Sequence, residues 1–217
     1  MAANRDERID RPWDAPAEYW PGILGGRDRT AGGTWMAMNR VGVVATVLNR
    51  PGTLGPAAGK RSRGELPLLA LAHDSAGAAA DAMALLDASE WRGFNMVIAD
   101  YSGAFFMRGT GTGPPQVSRL PEGVSMVTAY DPNDLESPRT ERHLPRFQTT
   151  DPGDWSPWLA ILADRSGSAV EQINVVPRGG FGTVCSSLLS LTEGRPPEWL
   201  FSDGPPDEAP FRGIGFT

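Results

Sequence analysis

The chain has 217 residues, 40% of them hydrophobic, with 20 basic side chains against 26 acidic ones and a formal charge of -6. That length suffices for one well-buried domain, expected over residues 1–217, and the acidic balance, with no basic block beyond Lys60-Arg61 and Arg63, excludes a nucleic-acid binder. No apolar run approaches the roughly 18 residues of a membrane span and no signal pattern opens the chain, so a cytoplasmic protein is expected.

The 26 glycines and 20 prolines predict many tight turns between short elements. Residues 8–33 read as an ordered loop, broken by Pro12, Pro16 and Pro21 and packed down through Trp13, Tyr19 and Trp20. Residues 34–38 and 42–48 are apolar, β-branched runs that predict a hairpin, and Asn49-Arg50-Pro51-Gly52 closes it with turn chemistry. Ser62-Arg63-Gly64-Glu65 has the spacing of a capping box, which predicts a helix with Leu66, Leu68, Leu69 and Leu71 as its buried stripe. Ser75 caps an alanine-rich helix expected over 76–88.

The period then returns to that of a strand. Residues 94–99 and 104–107 flank Asp100-Tyr101-Ser102-Gly103 as a second hairpin, and 117–120 and 124–128 are further strand pieces. The Gly-Thr-Gly-Thr-Gly run within 109–115 follows a strand, opens no helix and lacks the Gly-Lys-Ser/Thr of a phosphate cradle. Ser137-Pro138 begins a helix running to about 147, and Asp154 caps another carrying Trp155, Trp158, Leu159 and Leu162. Strands over 182–191 and 199–201 precede a Pro/Gly-broken tail from 204 to 217. This order predicts an α+β sandwich, two sheets face to face with helices outside.

Short blocks in a fixed order carry a family resemblance: Asn4-Arg5-Asp6-Glu7, Arg11-Pro12, Gly26-Arg27-Asp28, Gly32-Gly33-Thr34-Trp35, Asn49-Arg50 and Ser62-Arg63-Gly64. Weaker ones follow at 93–100, 121–126, Ser137-Pro138-Arg139 and Phe181-Gly182-Thr183. Together they resemble the NRDE-motif family, also called the transport and Golgi organisation protein 2 family. The resemblance implies a four-layer αββα sandwich like that of N-terminal-nucleophile hydrolases. It also implies a Met-Cys start and an apolar strand ahead of the Asn-Arg-Asp-Glu block. Here Met1 stands directly before Ala2-Ala3-Asn4, so the leading strand and the family's nucleophile are expected to be missing.

Matched block by block, the resemblance implies catalytic roles for Arg5, Asp6 and Asn49: Arg5 to position a carbonyl or carboxylate, Asp6 to orient a terminal amine, Asn49 to donate toward an oxyanion. It implies ligand contacts for Asn4, Arg27, Asp28, Arg63 and Trp35. Each has a plain alternative as an ion pair, cap or turn residue. Cys185, the lone cysteine, sits in an apolar strand pattern and reads as inert, and with only His73 and His143 beside it neither a metal site nor a cofactor is expected. Three readings stay open: a hydrolase of non-peptide C–N bonds, a binding or trafficking protein for haem or acyl-lipid ligands, and a scaffold. The first two take a small-molecule partner.

Overall fold

The computed structural model describes residues 1–216, and its contacts group into two compact units. The first comprises residues 1–11, 123–126 and 133–215; the second comprises 12–122, 127–132 and 216. The expected α+β class holds, with two antiparallel sheets and few helices.

The second unit is a meander. Strands β2 (Trp13–Trp20), β3 (Ile23–Asp28), β4 (Met36–Asn39), β5 (Val44–Asn49), β6 (Phe94–Asp100), β7 (Gly103–Gly109) and β8 (Gln116–Arg119) form a seven-stranded sheet in sequence order. Every strand therefore pairs with its chain neighbour. Helices α1 (Glu65–Ala70) and α2 (Ala76–Met83) cover one face, burying Leu66, Ala79, Met83 and Trp91 against Ala37, Ala45, Phe94, Met96 and Ile98.

Residues 8–33, expected as a loop, instead hold the whole of β2 and β3. Pro16 hid β2, since a proline lacks a ladder donor; it is tolerated because β2 is an edge strand whose register breaks between Asp14 and Ala17. Gly25 hid β3, yet a Cβ there would lie 2.4 Å from that of Ala37, so glycine is what lets β3 approach β4.

The first unit pairs β1 (Ala2–Arg8) with β9 (Phe181–Ser190), followed by β10 (Glu198–Ser202) and β11 (Phe211–Ile214), in that order and all antiparallel. Helices α3 (Pro138–Gln148) and α4 (Trp155–Leu162) pack on it through Phe147, Ile161 and Leu162, which with Ile173 gather Ala2, Trp158 and Phe211. Ser137 and Asp154 cap these helices as expected, accepting from Thr140 and Ser156 amides.

Four local expectations fail. Arg61 takes Glu65, its Nε 2.8 Å from the carboxylate, so no capping box closes; α1 starts at Glu65 behind Gly64, with Ser62 accepting only from the Gly64 amide. Helix α2 stops at Met83, and Asp87 caps a separate 3-10 turn over Ala88–Glu90. Residues 124–128 form no strand: Asn133, at φ 58°, returns its side-chain oxygen to the Met126 amide at 2.8 Å and bends the chain. The tail, read as irregular, supplies β11.

Candidate functional site

The block residues divide between the units. Asn4, Arg5 and Asp6 lie on β1 in the first; Arg27, Asp28, Trp35, Asn49 and Arg63 lie in the second.

On β1, Asn4 faces the helices. Its amide donates at 2.9 Å to the carbonyls of both Leu162 and Ile173, and its oxygen accepts from Ser186 Oγ at 2.6 Å. One side chain thus joins β1, β9, the end of α4 and the segment behind it. A bulge between Arg5 and Asp6 then moves Asp6 into register with Thr183. Thr183 Oγ1 donates to Asp6 at 2.7 Å and Arg139 Nη1 donates at 2.9 Å. Burial raises the Asp6 pKa, against the opposing pull of the Arg139 charge and the two hydrogen bonds. Arg5, its side chain 8% exposed, stands opposite Cys185 and shares Glu7 with Arg11 at 3.7 Å from each.

Cys185 has no nucleophilic character in this setting. It is buried within β9, and burial pushes its pKa up to about 12 in spite of the Arg5 charge.

In the second unit, Asn49 pairs with Phe94, and strand alternation puts it on the helix-covered face with Ala45 and Val47. No side-chain hydrogen bond of Asn49 occurs among the described residues. Its neighbour Arg50 donates to Asn95 at 2.6 Å and to Asp131 at 2.7 Å, while Arg108 also grips Asp131. Asn95, fully buried, donates to the carbonyls of Thr128 and Tyr130 and so fastens 127–132 to the sheet. Arg63 reaches the carbonyls of Thr53 and Gly93 at 2.8 and 3.0 Å. Asp28 caps the turn after β3 by accepting from the Thr30 and Ala31 amides.

The remaining two block residues belong to two separate aromatic pairs, which the neighbouring positions 26 and 27 of β3 put on opposite faces of the strand. Trp35 packs against Gly26, where a Cβ would be 2.2 Å from its ring, and meets Trp13 edge-on at 5.7 Å. Arg27 stacks over Tyr19 at 4.3 Å and binds Asp14 through two nitrogens at 2.8 and 2.6 Å. Tyr19 meets Trp20 edge-on at 5.9 Å. All four rings are half-buried.

Sequence reasoning did not assign roles to Arg139, Thr183 or Asn95, although each sits in one of the weaker blocks. Their signal was the block itself. Residues 6, 139 and 183 converge on one buried carboxylate, and residues 50 and 95 on one segment. Among the described residues no cluster of His, Cys, Asp or Glu can hold a metal, and no helix is long and apolar enough to cross a membrane.

These features define an α+β protein of two antiparallel sheets whose motif residues mostly lock strands and turns together. The family described as Transport and Golgi organisation 2 matches residues 1–148, more than half of the chain, and the protein belongs to that family. Among solved structures, a variant of conjugated bile acid hydrolase from Clostridium perfringens is similar at 14% identity and a TM-score of 0.46, over 90% of this chain and 81% of that one. No curated protein matches.

Proposed function

We propose that this protein binds a small, largely apolar ligand carrying an acidic group, of the haem or acyl-lipid kind, without cleaving it. The observation that supports this is the half-buried pair of Tyr19 and Trp20, edge-on at 5.9 Å, with Arg27 above Tyr19: apolar ring surface beside a guanidinium. Recognition of a porphyrin here rests on stacking and charge rather than on iron ligation, because Met36 and Met38 are buried in the sheet. The motif residues beside it serve as structural pins, and the one thiol is disabled by burial.

A hydrolase reading, with Arg5 positioning the substrate, Asp6 a terminal amine and Asn49 an oxyanion, draws on one observation, the raised pKa of buried Asp6. Titration with haem and with an acyl-CoA, followed by calorimetry, separates the two when combined with a panel of amide and ester substrates. Binding that weakens at least tenfold in Tyr19→Ala, with no turnover, is expected. Turnover that is lost in Asp6→Asn, or the absence of binding by either ligand, overturns the proposal.

A further inference from the structure

We infer that the first unit carries a second, smaller site, which takes a free zwitterionic α-amino acid with an apolar side chain. A cavity of about 210 Å³ opens where the hairpin joining β9 to β10 passes the start of α4, lined by Trp155, Ser190, Thr192, Arg195 and Glu198. At about 30 Å³ per water it has room for roughly seven. It falls below the roughly 300 Å³ at which pockets for drug-sized ligands begin, so a porphyrin or acyl-CoA is too large and a single amino acid is of the right scale.

The walls are held by regular structure. Ser190 and Glu198 are paired across the β9–β10 ladder, and the Arg195 amide closes the turn on the Thr192 carbonyl at 3.1 Å. Trp155 is the first residue of α4, immediately behind its Asp154 cap. The side chains of Arg195 and Glu198, both exposed, make no ion pair or hydrogen bond among the described residues. Most arginines of this protein are committed: Arg27, Arg50, Arg61, Arg108, Arg139, Arg146 and Arg165 all hold carboxylates. Here two opposite charges share one small cavity and stay apart.

An α-amino acid bridges such a pair. Its carboxylate matches the guanidinium fork of Arg195, its ammonium donates to Glu198, and its side chain lies on the indole of Trp155. The hydroxyls of Ser190 and Thr192 complete the polar rim. A simple anion would leave Glu198 facing it, and a simple cation would leave Arg195.

The test is calorimetric titration of the full chain with L-leucine and L-phenylalanine, then with N-acetyl-L-phenylalanine and L-phenylalaninamide, each lacking one of the two charges. Binding of the free amino acids at submillimolar to millimolar Kd is expected, weakened at least tenfold in either derivative and at least tenfold by Arg195→Ala or Glu198→Gln. Both substitutions fall on exposed positions and should leave the thermal melt unchanged, which the same samples verify. No binding, equal binding of a derivative, or binding indifferent to both substitutions overturns the assignment. Since Tyr19 lies in another unit, Tyr19→Ala should leave amino-acid binding intact even if the haem or acyl-CoA reading fails.

Discussion

Asn4 sits in the family's name-giving block, and the structure makes it a three-way pin. Replacing it with alanine removes two donors from the Leu162 and Ile173 carbonyls and the acceptor of the Ser186 hydroxyl. Each net hydrogen bond contributes about 1 kcal/mol, and stranding a buried partner costs about 1–3 kcal/mol, so a total near 3 kcal/mol is expected. For a chain of this size, at about 2–4 °C per kcal/mol, that lowers the melting temperature by roughly 9 °C. Asn4→Asp should be worse, because it turns a carboxylate toward two carbonyl oxygens. Thermal and urea unfolding followed by circular dichroism measure both. A shift of Asn4→Ala within about 0.5 kcal/mol of wild type, the range of an ordinary surface change, would refute the pin.

Other outcomes follow from the buried titratable groups. The Asp6 pKa is raised on folding, so the native state holds that proton longer than the unfolded chain and Asp6 subtracts stability as pH climbs above about 3.8. Urea midpoints of wild type relative to Asp6→Asn should therefore decline from pH 4 to 7; a flat difference would contradict the upward push of burial on this carboxylate. His143, its Nε2 2.9 Å from the Glu171 carbonyl and its Nδ1 3.0 Å from Arg146, has a pKa lowered by burial, with Arg142 and Arg146 opposing the cation and Asp164 favouring it. Its imidazole should titrate below 6.5 by NMR, and stability should fall as acid protonates it; a midpoint above 6.5 would refute this. Cys185 should resist thiol reagents at pH 8 until urea unfolds the chain, and rapid native labelling would contradict its burial. Gly26→Ala must displace the Trp35 ring, so it should cost about 1–3 kcal/mol in urea unfolding, with unchanged stability as the contrary result.

Where local chemistry decided the outcome, the sequence was readable. Ser75, Ser137 and Asp154 cap helices as their side chains predict, and the 94–107 hairpin turns at Tyr101-Ser102. Tertiary contacts erased other signals. Pro16 and the Gly25-Gly26 pair look like loop residues until an edge position and two close neighbours, Ala37 and Trp35, account for them. The Ser62 box lost its Glu65 to Arg61, a competitor no spacing rule weighs. At the site, the motif named Asp6 but not its partners, since Arg139 and Thr183 lie 133 and 177 residues away in the chain. The 3.7 Å Arg5–Glu7 contact is one of the few motif pairings visible along a single strand.

The two sheets also set different clocks for synthesis. The meander can zip hairpin by hairpin as it leaves the ribosome, since each strand meets the one made just before it. Strand β1 has no such luck: Asn4 waits for Ser186, 182 residues later. At about 5–20 residues per second, that leaves the family's signature strand unpaired for roughly 10–40 s in every nascent chain, an interval in which its open edge is exposed to aggregation.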